Sequence, residues 1–309
     1  MTRHLFVADP LGPIRIDQDS TFGLMLEGQN RGHEVHWCSL NGLIARDGDG
    51  FARAQAATVR AVQGDHFTLA PAQERPLGDF ATIWMRKDPP FDMTYVAATW
   101  ILDLAPPGTR VVNRPQGLRD WNEKCAVLRF PDFAPRCLVS RDMTVILDFC
   151  RAVGSTVIKP LGFSGGAGIV ALHPGDLNTR SLIEISTHSG QRFILVQQYM
   201  PEITEGDKRV IMVNGVTRGA LLRVPPSDDL RGNIHVGARV EFVGLTDAEQ
   251  LVCDALEVPL REAGHVFVGI DLIGEKLTEV NVTSPTGIRE IQALGGPDIG
   301  KELMDAALR

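Results

Sequence analysis

Val266-Phe267-Val268-Gly269-Ile270-Asp271-Leu272-Ile273-Gly274-Glu275-Lys276-Leu277-Thr278-Glu279-Val280-Asn281-Val282 is the stretch whose reading decides the architecture. Two runs of β-favouring residues flank a glycine turn, and successive side chains of a strand point to opposite faces. Loop length therefore fixes which residues share a face. A two-residue turn would pair Ile270 with Glu279 and mix polar with apolar residues on both sides. A three-residue loop, Gly274 to Lys276, pairs Ile273 with Leu277 and Asp271 with Glu279. It gathers Val266, Val268, Ile270, Leu272, Thr278, Val280 and Val282 on one nearly apolar face, and this is the expected register. The other face then carries Asp271, Glu279 and Asn281. Two carboxylates and an amide, with no His or Cys, make an oxygen donor set suited to Mg²⁺ (with Mn²⁺ as a substitute) rather than Zn²⁺. Such an ion keeps positions open for phosphate oxygens. The same pattern also fits the solvated face of a two-layer sheet. The polar loop that follows, Thr283 to Glu290, favours the metal, because Arg289 offers a place for an anionic substrate beside it.

Upstream, Val157-Ile158-Lys159-Pro160-Leu161-Gly162-Phe163-Ser164-Gly165-Gly166-Ala167-Gly168-Ile169-Val170 reads as strand, glycine loop, strand. Glycines such as Gly165 and Gly166 let backbone N–H groups approach phosphate, and Lys159 supplies a point charge. No Gly-Lys-Ser/Thr leads into a helix, so this is not a P-loop, and no dinucleotide fingerprint follows the first strand. Taken alone, a flexible hairpin turn explains the loop slightly better. Gln198-Tyr199-Met200 ends an apolar strand at Pro201, a strand-end backbone suited to adenine. Asp207 follows, placed to accept from ribose hydroxyls. Lys124 is a candidate second phosphate lysine, or a solvated surface lysine. Arg209 and Arg223 sit on neighbouring strands, either as surface ion pairs or as fixed cations for a transferred phosphoryl group. The long polar stretch between Val224 and Val240 is expected to form a lid.

The whole chain has 309 residues, 44% hydrophobic and 22% charged, room for two or three folded units. A net charge of -7 with scattered basic residues disfavours a nucleic-acid surface. Five cysteines without a CxxC pair read as reduced thiols. The start reads as a first strand rather than a secretory segment, and no run reaches the ~18 apolar residues of a membrane span. A cytoplasmic location is expected. Strands at Leu5–Ala8, Val35–Cys38 and Thr82–Met85 alternate with a helix over Thr21–Arg31, capped by Asp19 or Ser20 and ended by Gly32. That rhythm predicts an α/β, parallel, doubly wound N-terminal domain. Residues 41–80, rich in Ala, Gly and Gln, are expected to be a loop region, and Leu118 to Phe130 a helix. Strand pairs dominate from Val210, with a helix over about Asp247–Ala263.

Together these residues resemble the prokaryotic glutathione synthetases. The resemblance runs through Met85-Arg86-Lys87-Asp88-Pro89-Pro90-Phe91-Asp92, Val112-Asn113-Arg114-Pro115, Asn122-Glu123-Lys124, Ile158-Lys159-Pro160-Leu161, Gly206-Asp207-Lys208-Arg209, Arg231-Gly232-Asn233 and Thr278 to Glu290. It implies an ATP-grasp fold: an N-terminal substrate domain (1–120), then two α+β subdomains, central (121–200) and C-terminal (201–309). It also implies a homo-oligomer, tetramer or dimer, that joins γ-glutamylcysteine and glycine while ATP becomes ADP and phosphate. By motif match, Lys124, Lys159, Gly165, Gly166, Gln198, Tyr199, Met200 and Asp207 would bind ATP. Asp271, Glu279 and Asn281 would bind Mg²⁺, Arg209 and Arg223 would be catalytic, and Arg86, Arg231, Asn233, Ser284 and Thr286 would face the peptide and acyl phosphate. Two departures bear on the acceptor. Gly162-Phe163-Ser164 replaces the usual Asp-Gly start of the glycine loop. His235, Val236 and Ala238 replace smaller residues of the lid. A relative using another amine or acyl peptide therefore stands beside the first reading, and a non-catalytic nucleotide-binding protein is the reading from a different class.

Overall fold

The computed structural model describes residues 2–225 and 239–309. Its first unit is built on β1 (Arg3–Ala8), α1 (Ser20–Asn30), β2 (Glu34–Cys38), β3 (Leu43–Arg46), β4 (Asp49–Val59), β5 (Phe67–Leu69), β6 (Gln73–Pro76), β7 (Thr82–Arg86), α2 (Met93–Leu102), β8 (Arg110–Val112) and α3 (Pro115–Asp120). The sheet runs β3-β4-β2-β1-β7-β8, with β5 and β6 also paired to β4. Pairings β1–β2, β1–β7 and β7–β8 are parallel, so the expected doubly wound core is present. Past the buried His4, β1 is apolar from Leu5 to Ala8 because both of its faces are covered. Asp19 caps α1 by accepting from Phe22 N at 2.6 Å, and Gly32 leaves the helix at a φ of +74°.

Residues 41–80 are not the irregular region expected. They form an antiparallel meander whose long member, β4, pairs with β2, β3, β5 and β6. Gly50, Ala52 and Ala54 are buried in alternation, and after a phase shift at Gln55–Ala56 the alternation resumes with Ala57 and Val59. The period is that of a strand, but small alanines carry it. The helix expected over Leu118 to Phe130 is also different: α3 ends at Asp120, and a short 3₁₀ turn covers Cys125–Arg129.

A four-stranded sheet follows, made of β9 (Cys137–Ser140), β10 (Thr156–Pro160), β11 (Val170–Leu172) and β12 (Ile194–Gln198) in the order β11-β10-β12-β9. Helices α4 (Met143–Val153) and α5 (Thr179–Ser186) cover it, with Ile146, Ile158, Ile183 and Val196 between. The last sheet runs β15-β14-β13-β16-β17. Its members are β13 (Asp207–Val213), β14 (Val216–Val224), β15 (Arg239–Val243), β16 (Phe267–Ile273) and β17 (Lys276–Asn281), with α6 (Asp247–Glu262) preceding β16. Helices α7 (Ile288–Ala293) and α8 (Ile299–Ala307) then return to the first unit, where Leu303 and Met304 share a core with Phe22 and Met25.

Candidate active site

The hairpin β16–β17 pairs Asp271 with Glu279 and Gly269 with Asn281, as expected, but by a different route. Ile273 pairs with Lys276, not with Leu277, so the turn is the two-residue Gly274-Glu275. Both turn residues have positive φ, 52° and 64°, the geometry that matches the twist of a tight hairpin. The register shifts between Asp271 and Leu272, which leaves Thr278 as an extra residue. Thr278 Oγ1 donates to Asp271 O at 3.0 Å and steadies this bulge.

Asp271 is the electrostatic centre. Its carboxylate accepts from Arg209 Nε at 2.5 Å and Nη2 at 3.0 Å, and Arg223 Nη2 lies 3.0 Å away. Asn281 Nδ2 adds a bond at 3.2 Å. Burial opposes ionisation, but the two guanidinium groups outweigh it and hold the carboxyl well below the usual range. Arg223 also binds Asp207 through two parallel bonds of 2.6 and 2.7 Å. Gly269 makes the crossing of Arg209 possible, since a Cβ there would come within 3.0 Å of both Arg209 Cδ and Pro285 Cβ. Glu279 pairs with Lys124 Nζ at 3.0 Å. Burial favours the neutral form of Lys124, yet Glu279 and Glu123 prevail and raise its pKa. Lys159 has the opposite outcome: its burial lowers the pKa despite the attraction of Glu279.

A cavity of about 440 Å³ brings these groups together with most of the expected nucleotide residues. Lys159, Gly165, Gly166, Gln198, Tyr199, Met200, Asp207, Arg209, Arg223, Asp271, Glu279 and Asn281 all line it. Gly165 and Gly166 have φ of 66° and 77°, a backbone that other residues rarely adopt. At this strand end the Tyr199 N–H is already bonded to Ser155 O at 3.0 Å, and the Met200 carbonyl accepts from Ile203 N at 3.1 Å. Lys124 reaches the site through Glu279 and through the Phe163 carbonyl of the glycine loop.

Arg86, Ser284 and Thr286 lie together in a second cluster on the other side of Arg209. Arg86 is 4% exposed, donates to Pro285 O at 2.8 Å and to Thr21 Oγ1 at 3.1 Å, and stacks on Phe267. Ser284 Oγ bonds Asp88, and the Thr286 carbonyl accepts from Arg209 Nη1 at 3.2 Å. Arg231, Asn233 and the rest of the expected lid (226–238) lie outside the described residues.

Sequence reasoning missed three contributors. Val157, Ile169, Ala171, Ile203 and Ile273 give the cavity an apolar wall drawn from both antiparallel sheets. For Val157, Ala171 and Ile273 the available signal is alternation on β10, β11 and β16, whereas Ile169 precedes β11 and Ile203 lies in the turn Pro201–Thr204. Asn113 fastens the root of the hairpin: its Nδ2 donates to Phe267 O and Val282 O at 2.8 and 2.7 Å, and its Oδ1 accepts from Val266 N and Phe267 N. Glu123 accepts from Thr283 N and Oγ1 and pins the loop after β17. Neither role leaves a local mark in sequence.

The donors Asp271, Glu279 and Asn281 fit a magnesium ion that borrows the rest of its shell. Among the described residues no three His, Cys, Asp or Glu side chains converge as a self-sufficient metal site.

Two antiparallel sheets sharing one cavity, with a glycine loop and an acid-bearing hairpin on its walls, define an ATP-grasp ligase. The solved structure of D-cycloserine synthetase DcsG has this fold, with a TM-score of 0.67 at 14% identity, covering 99% of this chain and 98% of that one. Residues 2–119 match the prokaryotic glutathione synthetase N-terminal domain, and residues 123–296 match the prokaryotic glutathione synthetase ATP-grasp domain. The glutathione synthetase of Synechococcus elongatus is 46% identical over 97% of this chain and 96% of its own length. That of Brucella melitensis is 42% identical, over 96% of each. The chain belongs to the prokaryotic glutathione synthetase family and is an ATP-grasp carbon–nitrogen ligase.

Proposed function

We propose that this chain joins γ-glutamylcysteine to glycine, forming glutathione while ATP is converted to ADP and phosphate. The observation that carries the reading is the convergence of Asp271, Glu279, Asn281, Lys159, Arg209 and Arg223 on one cavity. The units 1–120, 121–200 and 201–309 divide the work: peptide, base and glycine loop, and metal with arginines. Adenine lies between the apolar walls, met by Gln198, the Tyr199 carbonyl and Met200, with Asp207 on the ribose. Lys124, Lys159 and the N–H groups at Gly165 and Gly166 hold the phosphates. Asp271, Glu279 and Asn281 hold Mg²⁺, which when bound neutralises phosphate charge.

The terminal cysteine carboxylate of the dipeptide attacks the γ-phosphorus, and ADP leaves. The glycine nitrogen then attacks the acyl carbon of the resulting acyl phosphate, loses a proton, and phosphate departs. Arg209 and Arg223 are catalytic because, fixed by Asp271, they face the charge that develops on the transferred group without reorganising. Arg86, Ser284 and Thr286 orient the peptide, with Arg231 and Asn233 from the lid. A cytoplasmic homo-oligomer, dimer or tetramer, using Mg²⁺ or Mn²⁺ and no nucleic acid or membrane, completes the reading.

His235, Val236 and Ala238 in the lid support a second reading in which a different amine or acyl peptide is used. ADP release measured with γ-glutamylcysteine and a panel of amino acids decides. Glycine is expected to give the highest kcat/KM. Turnover confined to another amine overturns the first reading, and magnesium-independent ATP binding without turnover on any amine overturns both.

A further inference from the structure

β1 lies between β2 and β7 in the parallel part of the first sheet. The chain leaves β1 in one direction, through α1 to β2, and β7 occupies its other side. Such a switch opens a crevice at the carboxyl ends of the two central strands, the place where open α/β sheets bind ligands. Arg86 and Asp88 stand at the end of β7 and the segment before α1 at the end of β1. Helix α7, from the far end of the chain, packs on α1 here. Arg289 lies so close over Gly23 that a Cβ would come within 2.8 Å of its Cδ.

These two segments hold four buried polar atoms without a hydrogen-bond partner: Gln18 Oε1, Ser20 Oγ, Arg289 Nε and Glu290 Oε2. Buried polar groups are ordinarily hydrogen-bonded, so four unpaired ones on neighbouring segments point to a polar ligand. Glu290 is 8% exposed. Its surroundings are mixed: burial pushes its carboxyl up to about 7, Arg209 and Arg289 pull it down, and Asp17 pushes it further up. An arriving cation removes that conflict. The site also adjoins the reaction centre, because Thr286, four residues before Glu290, accepts from Arg209 through its carbonyl.

A carboxyl without a partner calls for an ammonium group, and a guanidinium with a free N–H calls for a carboxylate. An α-amino acid terminus carries both. We propose that Glu290, beside Asp17, receives the α-ammonium of the γ-glutamyl substrate while Arg289 receives its α-carboxylate. Glu290 is then a specificity residue for the acyl donor. This rests on the reading of a γ-glutamyl dipeptide as that donor.

Glu290→Gln keeps the side-chain volume and removes the charge. The test compares γ-glutamylcysteine with glutarylcysteine, which has the same carboxylates but lacks the α-ammonium. Loss of one charge-assisted bond predicts a KM for γ-glutamylcysteine raised on the order of 30-fold, with KM for ATP and kcat nearly unchanged. On glutarylcysteine the variant and the parent protein should agree within about 2-fold, since the recognised group is absent from both reactions. Equal weakening on both substrates, the mark of a merely structural residue, overturns the proposal, as does no effect on either. Calorimetric binding of the two peptides gives the same comparison without turnover. Glu290-dependent binding with no reaction overturns the proposed reaction and keeps the subsite; a peptide that neither binds nor reacts overturns both.

Discussion

Replacing Asp271 by Asn separates the structural work of the central carboxylate from its chemical work. The substitution keeps shape but removes the negative charge that two guanidinium groups share. Asp271 accepts from Arg209 at 2.5 and 3.0 Å and meets Arg223 at 3.0 Å. An amide offers one acceptor oxygen, and its NH₂ opposes guanidinium N–H groups, so part of this set is lost. Arg223 keeps its paired bonds to Asp207, which leaves Arg209 as the uncompensated buried cation. Breaking a buried pair from one side costs about 3–5 kcal/mol. The expected loss in urea-unfolding stability is therefore about 3–5 kcal/mol without nucleotide, and turnover falls below detection. Adding Arg209→Met removes the stranded charge. The double variant should regain about half of that loss and none of the activity. The depressed pKa fixes the pH dependence: the stabilisation is complete above the ordinary carboxyl value of about 4 and is lost as pH falls towards the native value. The difference between parent and Asp271→Asn should thus be flat from neutral pH down to about 5 and shrink only in stronger acid. A variant as stable as the parent at neutral pH, or one retaining magnesium-dependent turnover, refutes the reasoning.

Three further outcomes are expected. Glu279→Gln should abolish turnover at a stability cost of only about 1–2 kcal/mol by urea unfolding, because Lys124 keeps the Phe163 carbonyl as a partner; a stability loss matching that of Asp271→Asn would contradict this. Asn113→Ala should destabilise by about 2–4 kcal/mol, since two carbonyls and two N–H groups at the root of the hairpin lose their Asn113 partner. Hydrogen exchange should locate the loss at Phe267 N, and unchanged protection there would sink the assignment. Titration calorimetry should find ATP binding measurable without metal and Mg²⁺ binding undetectable below millimolar concentrations without nucleotide; tight binding of Mg²⁺ alone would show that the carboxylates form a complete site.

How much was legible depended on whether a signal was local. The pairing of Asp271 with Glu279 could be read from alternation because it tolerates an error in the turn. A three-residue loop, or a two-residue turn plus one bulged residue, both add the same single residue to the second strand. The apolar face was therefore correct around Ile270 and Val280, and wrong in detail at Thr278. The β4 meander failed for the opposite reason. Its period-two burial is carried by Ala52 and Ala54, small residues depleted in strands, so the spacing stands out weakly against the alanine-rich composition. Asn113 was beyond any local reading, since its partners lie about 150 positions away and are backbone atoms.

The charge pattern explains why the hairpin reading also predicts the order of events. Asp271 and Glu279 look from sequence like a ready-made cation site, yet each is already paired with basic side chains. Among the residues lining the cavity, Lys159, Arg209 and Arg223 match Asp207, Asp271 and Glu279 in number, so the carboxylates have no net negative charge to offer before anything binds. A divalent ion alone would leave its added positive charge uncompensated in a place where water screens little. On the proposed reading, a triphosphate would supply negative charge, engage the lysines and free carboxylate oxygens for the metal. The oxygen donors on one face of a strand pair are thus half of a site whose other half arrives with the nucleotide, and the arginines keep them in register until it does.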